Sequence, residues 1–266
     1  MASMAIQQTR SRVNNGSQIY FGQVARMTNL IYQLDSYIQS FEAKVVFFDP
    51  EIHGLVLDQT AFYPGGGGQP SDRGSLTDGH QRYSITRVRK VGSEVFHILD
   101  GDEVPSEGST IVGQIDWDRR YQLMRIHTAM HILCGVIFRD YGAQVTGGDM
   151  DPLQGRMDFE FETMHKELVD EIQNSINQEV ANSRVVHINI LPRDEAFQIP
   201  DLIRTKINLL PEDIQEVRVV EIVGLDLQAD GGTHVKNTSE VGFIRVADYK
   251  SKGKINKRIY VELSPY

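Results

Sequence analysis

Apolar residues along this chain follow two rhythms, and the change between them falls near Trp117. Between 27 and about 116 they come in short runs, such as 43–48 (Ala-Lys-Val-Val-Phe-Phe) and 54–57 (Gly-Leu-Val-Leu), separated by Gly, Pro, Asp and Ser clusters. Such runs predict the short strands of a small β-barrel or sandwich. Past Trp117, Leu123, Ile126, Met130, Leu133 and Ile137 recur at steps of three and four, predicting a helix with one apolar stripe and Asp116 or Asp118 as its cap. Gly142 and the Gly147-Gly148 pair break that helix, and the alternation over 155–161 predicts a strand. A second helix is predicted over about 164–182, with Leu168, Ile172, Ile176 and Val180 on one face. Strand-like segments follow at 185–191, 216–222, 241–248 and 258–263. Helices and strands mixed without a regular βαβ alternation favour an α+β domain. No internal repeat or low-complexity tract interrupts the pattern.

This gives two regions, a β-barrel over 27–115 and an α+β domain over 116–266. Residues 1–26 contain no Asp or Glu, carry Arg10, Arg12 and Arg26, and are rich in Ser, Gln and Asn. They read as an appended leader or disordered extension in preference to a mitochondrial transit peptide.

A length of 266 residues suits one or two domains, and 40% hydrophobic with 24% charged residues is ordinary for a folded protein. No apolar run reaches the roughly 18 residues of a membrane span. The net charge of −9 argues against a generally positive surface, so any polyanionic partner needs a local basic patch. The only cysteine, Cys134, excludes intrachain disulfides and points to a reducing, cytoplasmic setting. It also means that any metal site must rest mainly on imidazole and carboxylate.

Two segments carry candidate chemistry. His127 and His131 stand four apart within the strongest predicted helix, so their imidazoles share a face one turn apart, at metal-ligand spacing. No glutamate follows His127, so the metalloprotease pattern is absent. In Asp226-Leu-Gln-Ala-Asp-Gly-Gly-Thr-His-Val-Lys-Asn-Thr238, Asp230 and His234 are again four apart, with two glycines shaping a turn between them. Together the segments offer three imidazoles and one carboxylate, and three protein ligands with a water is the usual arrangement of a catalytic zinc. A third segment, Tyr63-Pro-Gly-Gly-Gly-Gly-Gln-Pro-Ser-Asp-Arg-Gly74, must be a loop, because four successive glycines suit neither strand nor helix.

These motifs resemble those of the editing domain of alanyl-tRNA synthetase and of its free-standing relatives, the AlaX trans-editing proteins, over about residues 27–266. His127-Thr-Ala-Met-His131 and Asp230-Gly-Gly-Thr-His234 are similar to the paired metal motifs. Ala61-Phe-Tyr-Pro64 with the glycines that follow resembles the glycine-rich motif of the longer class, and Ser251-Lys-Gly-Lys-Ile-Asn-Lys-Arg-Ile-Tyr260 resembles its C-terminal tail. The resemblance implies an α+β editing domain of the threonyl/alanyl-tRNA synthetase common type behind the barrel. It also implies a zinc-dependent deacylase with one ion per chain, acting in trans on mischarged tRNA(Ala). The substrate is chiefly Ser-tRNA(Ala) and, in the longer members, also Gly-tRNA(Ala). The chain is too short to hold an adenylation domain as well.

Carried over residue by residue, the resemblance assigns the metal to His127, His131, Asp230 and His234, with Asp230 and His234 also in catalysis. Thr146, Thr233, Gly66, Gly67, Gly68 and Gln69 are the candidate substrate contacts, Thr146 by likeness to the threonine that reads the serine hydroxyl. Lys250, Lys252, Lys254, Lys257 and Arg258 are the candidate tRNA contacts. From Arg245 to Arg258 six basic residues face Asp248 alone, a local surplus of five. The family commonly has cysteine where this chain has Asp230. The carboxylate either joins the ligands or acts as a base beside a three-histidine site, and loss of a thiolate weakens selection for zinc over other divalent ions. Cys134, three residues beyond His131, reads as a small buried residue. Two rival readings are a tRNA-binding module with a structural or absent metal, and a small-ester metallohydrolase without an RNA partner.

Overall fold

The structure, a computed structural model, describes residues 28–204 and 214–265. The predicted leader at 1–26 lies outside them. Six antiparallel strands close into a barrel: β1 (Ser40–Asp49), β2 (Gly54–Leu57), β3 (Gly74–Thr77), β4 (Arg82–Val91), β5 (Glu94–Asp100) and β6 (Thr110–Ile115). They pair in the order β1-β2-β5-β4-β3-β6 and back to β1. Short apolar runs predict these strands, and alternation within them fills the barrel. In β1, Phe41, Ala43 and Val45 point inward between exposed Ser40, Glu42 and Lys44, and β6 repeats the pattern from Thr110 to Ile115. Leu55, Leu57, Leu76, Ile85, Val88 and Leu99 complete the core.

A histidine sits inside this core. His97 is fully buried, its Nδ1–H donating to Leu55 O at 3.0 Å and its Nε2 accepting from Thr60 Oγ1 at 2.8 Å. Burial pushes its pKa down to about 4, against the pull of the Leu55 carbonyl. The folded value lies below the unfolded one near 6.5. The unfolded chain therefore takes up this proton first, and stability present above pH 6.5 is lost as pH falls toward 4. The contribution is on the order of 3 kcal/mol. Chemical denaturation across this window should show the His97→Asn variant taking up about one proton fewer on unfolding than the wild type.

Past the barrel lies a helix-and-sheet region. Helix α1 (Trp117–Tyr141) starts where Asp116 accepts the Arg119 N–H and stops at Gly142, which is left-handed. The sequence predicts one apolar stripe, but every residue from Leu123 to Ile137 is buried. The helix is wrapped on several sides, by α2 (Lys166–Ala181), by a sheet and by the turn at Thr238–Val241. That sheet is antiparallel, with strands β7 (Val145–Asp151), β8 (Gln154–Glu160), β12 (Ile244–Ser251) and β13 (Asn256–Leu263) in the order β12-β13-β8-β7. A separate three-stranded antiparallel sheet is formed by β9 (Val186–Pro192), β10 (Glu216–Ile222) and β11 (Asp226–Ala229). The strand predicted from 241 begins later, because Asn237 and Glu240 form a capping box over a turn that ends at Gly242 with φ +75°.

A buried ion pair joins the barrel to α1. Arg120, 0% exposed, holds Asp72, 1% exposed, with its Nε at 3.0 Å from both carboxylate oxygens and its Nη2 on Oδ2. The same guanidinium donates to Ser36 O at 2.9 Å and Ala61 O at 2.6 Å. Asp72 also accepts the Tyr63 N–H at 2.6 Å, which closes the glycine-rich loop on itself. Within that loop Gly66 and Gln69 exchange backbone hydrogen bonds of 3.0 and 2.9 Å. Its four glycines have φ of +86°, +141°, +56° and +88°, a path open only to glycine.

Candidate metal centre

Helix α1 presents His127 and His131 on adjacent turns, and the turn after β11 brings Asp230 and His234 against them. One ligand atom from each of the four lies within 4.8 Å of the others. The ring centroids are 4.3 Å apart for His127 and His234, 4.7 Å for His131 and His234, and 5.1 Å for His127 and His131. Such proximity requires glycine at 232, where a Cβ would lie 2.3 Å from His127 Cε1 and 2.7 Å from Gln69 Oε1.

Each imidazole is held by its Nδ1, which leaves Nε2 for the centre. His127 Nδ1–H donates to Gln69 Oε1 at 2.9 Å. That oxygen also accepts the Thr233 N–H at 3.0 Å, while Gln69 Nε2 donates to Thr233 Oγ1 at 2.8 Å. His131 Nδ1–H donates to Asp226 Oδ2 at 2.9 Å, and Gln228 Nε2 donates to the same oxygen at 2.7 Å. His234 Nδ1 meets Thr128 Oγ1 at 3.1 Å. On the inner side, Asp230 Oδ2 lies 2.9 Å from His234 Nε2, and Oδ1 lies 3.6 Å from His127 Nε2. The Gly232 N–H donates to Asp230 Oδ2 at 2.7 Å, and Arg218 Nη1 donates to Asp230 O at 2.9 Å. Imidazoles fixed in one orientation by carboxylate, amide and hydroxyl partners are the usual surroundings of a metal ion.

The electrostatics suit a cation. Burial disfavours the charge of Asp230, but the imidazoles of His127, His234 and His131 outweigh it and hold the carboxyl well below the usual range. Burial keeps His127 well below the ordinary histidine value despite Asp230, and pushes His234 down to about 4 despite its hydrogen bond to Asp230. For His131 burial acts downward too, but the hydrogen bond and charge of Asp226 win and raise it. One ionised carboxylate beside two neutral imidazoles is a donor set ready for a divalent ion.

Comparisons with known proteins place the chain. The family described as tRNA synthetases class II (A) matches residues 5–119, and the Threonyl and Alanyl tRNA synthetase second additional domain matches residues 217–260. An alanyl-tRNA editing protein AlaX-M from Saccharolobus solfataricus is 41% identical over 90% of this chain and 100% of its own length. The chain belongs to the AlaX-M family of alanyl-tRNA editing proteins. A second AlaX-M, from Methanosarcina barkeri, is 39% identical over 89% of this chain and 99% of its own. An alanine–tRNA ligase from Pyrobaculum aerophilum is 41% identical over 83% of this chain but only 25% of its own length.

In this AlaX-M member a cavity of about 830 Å³ opens beside the four donors, lined by Gly67, Gly68, Thr146, Gly148, Arg218 and Asp230 among others. Thr146 is exposed at its edge and donates to Asn256 Oδ1 at 3.0 Å. Gln69 and Thr233 lie behind the imidazoles instead, 2% and 0% exposed. Gly66 is in the closed turn that carries Gln69. Cys134 is buried, its thiol pKa pushed up by burial, and receives the Gln228 amide at 3.4 Å.

The C-terminal basic residues are partly engaged. Arg258 forks onto Asp158 at 2.6 and 2.7 Å, and Lys250 pairs with Asp248 at 3.0 Å. Lys257, 6% exposed, donates to Gly253 O and Lys254 O, and Lys252 and Lys254 are exposed.

Sequence reasoning assigns no role to Asp226, Gln228, Thr128 or Arg218. Asp226 stands in the quoted motif four residues before Asp230, and that spacing is the signal that could have found it. Among the described residues no helix is long and apolar enough to cross a membrane.

Proposed function

We propose that this protein hydrolyses the ester bond of mischarged tRNA(Ala) in trans, chiefly Ser-tRNA(Ala) and also Gly-tRNA(Ala), at the centre formed by His127, His131, Asp230 and His234. The observation that carries this reading is the convergence of those four donors, oriented from behind, in a chain that belongs to the AlaX-M family. One zinc ion per chain fits the three imidazoles and one carboxylate, and when bound it supplies an acidified water and polarises the ester carbonyl.

The chain's own residues do the rest. Gln69, Asp226 and Thr128 keep the imidazoles aimed inward. Asp230, held ionised, serves as ligand or as proton acceptor, with Oδ2 anchored by the Gly232 N–H and Oδ1 turned toward His127. The 27–115 barrel supplies the glycine-rich loop and the 116–266 region supplies the donors. Gly67 and Gly68 line the cavity without side chains, leaving room for the terminal adenosine. A reaction on charged tRNA belongs in the cytoplasm.

Selectivity is assigned to Thr146. Its hydroxyl hydrogen goes to Asn256, so its oxygen is left to accept a hydrogen bond from the serine side chain. A substrate without that hydroxyl gains nothing there. Thr146→Val is therefore expected to slow Ser-tRNA(Ala) roughly tenfold, the worth of about one hydrogen bond, and to leave Gly-tRNA(Ala) unchanged. The test is deacylation of Ser-, Gly- and Ala-charged tRNA(Ala) by the purified protein after metal analysis. RNA binding without turnover would favour a binding module, and turnover of simple esters alone would favour a small-ester hydrolase. Lys252 and Lys254 are the hairpin residues most open to tRNA phosphates.

A further inference from the structure

Five arginines on the barrel side are used by nothing described so far. Arg73, Arg82, Arg87, Arg89 and Arg119 form no ion pair with any described residue, in a protein whose net charge is −9. In contrast, Arg245, Lys250 and Arg258 on the C-terminal hairpin each have a carboxylate partner. The acids nearest Arg119 include Asp72, already held by Arg120, and Asp116, which caps α1.

The five gather at the barrel end of the glycine-rich loop. Ser71 is the junction: its Oγ accepts the Val88 N–H at 3.3 Å and its carbonyl accepts Arg119 Nη2 at 3.5 Å. Val88 lies between Arg87 and Arg89 on β4. Arg73 and Arg82 line a hollow of about 360 Å³ with Gln114 and Asp116. Among the described residues the buried Nε atoms of Arg89 and Arg119 have no hydrogen-bond partner. Gly68, in the wall of the active cavity, precedes Arg73 by five residues, so the two are no more than about 18 Å apart.

Guanidiniums without a carboxylate partner on one surface are matched best by an anion. An anion that met the whole row would have to be extended. Tyr83, Ile85 and Val88 point into the barrel; alternation turns Arg82 away from its core, and a bulge between Ile85 and Arg87 does the same for Arg87 and Arg89. Arg82 and Arg89 stand seven residues apart on this strand, about 23 Å, too far to share one phosphate. Guanidinium forks match phosphate oxygens, and a row of them matches phosphates repeating along a strand.

We propose that Arg73, Arg82, Arg87, Arg89 and Arg119 form the surface that holds the backbone phosphates of the RNA strand leading to the aminoacylated end, while the ester enters the cavity past Gly68. This rests on the deacylase reading for the identity of the RNA.

The test measures binding of tRNA(Ala) to the full chain across a salt titration, with kcat and KM for Ser-tRNA(Ala) from the same preparations. Arg82→Ala/Arg87→Ala should raise Kd and KM about tenfold or more and leave kcat in place. It should lower the slope of log affinity against log salt by about 1.4 to 1.8, two phosphate contacts. Arg82→Lys/Arg87→Lys, which keeps the charges, should retain the wild-type slope. Wild-type affinity and slope in the alanine pair would overturn the proposal and leave the deacylase reading standing. If instead the wild type binds tRNA through these arginines but releases no amino acid, the surface stands and the deacylase reading falls.

Discussion

Replacement of His234 by alanine is expected to bring deacylation of Ser-tRNA(Ala) down to the uncatalysed background and to strip metal from the purified protein. The imidazole is 1% exposed, lies 4.3 Å and 4.7 Å from the other two rings, and among the described residues only His127, His131 and Asp230 share its donor cluster. Its removal also takes away the group that faces Asp230 Oδ2, leaving a buried carboxylate with less to offset its charge. His127→Ala should behave the same way. A graded control separates ligand loss from general damage: Asp226→Asn keeps all four donors and weakens the group that holds His131 Nδ1 and the Gln228 amide, so it should cost roughly 10–100-fold in metal affinity. Metal content by elemental analysis and single-turnover deacylation are read together. Full activity in a metal-free His234→Ala protein would sink the mechanism.

The second large effect is on stability. Arg120→Ala should lower the unfolding free energy by about 3–5 kcal/mol, because it strands Asp72 in a site 1% exposed with its counter-charge gone. The Ser36 and Ala61 carbonyls would lose their donor as well. Asp72 also holds the Tyr63 N–H, so the glycine-rich loop should loosen with it, and residual activity should fall further than stability alone explains. Denaturant unfolding gives the first quantity and deacylation well below the midpoint gives the second. The double variant Arg120→Met/Asp72→Leu removes both charges and should recover most of the stability. Recovery no better than the single change would argue against the ion pair as the cause.

What could be read from the chain, and what could not, divides by sequence distance. Helix α1 is legible because its signals are local: Asp116 at one end, Gly142 at the other and apolar steps of three and four between. The same periodicity puts His127 and His131 on one face, and the two glycines before Thr233 announce the turn bearing Asp230 and His234. The groups that orient those donors have no local signature. Gln69 reaches His127 across 58 positions, Asp226 reaches His131 across 95, and Thr128 reaches His234 across 106. Burial on every side of α1 is hidden for the same reason. A stripe implies one wet face, whereas Arg125 is covered by the Val241 and Ser264 carbonyls from the far end of the chain. The late start of β12 comes from turn chemistry at Asn237, Glu240 and Gly242, which hydrophobic rhythm does not register.

Gln69 gives this architecture a hereditary consequence. A gene fragment encoding only 116–266 would carry all four donors yet lack the carboxamide that aims one of them. A fragment encoding only the barrel would carry that carboxamide with nothing to aim. In this chain, then, the two coding stretches have to travel together for His127 to keep its Gln69 partner. The stretch alignable with alanine–tRNA ligase fits that expectation: at 229 residues it is longer than either part of this chain alone.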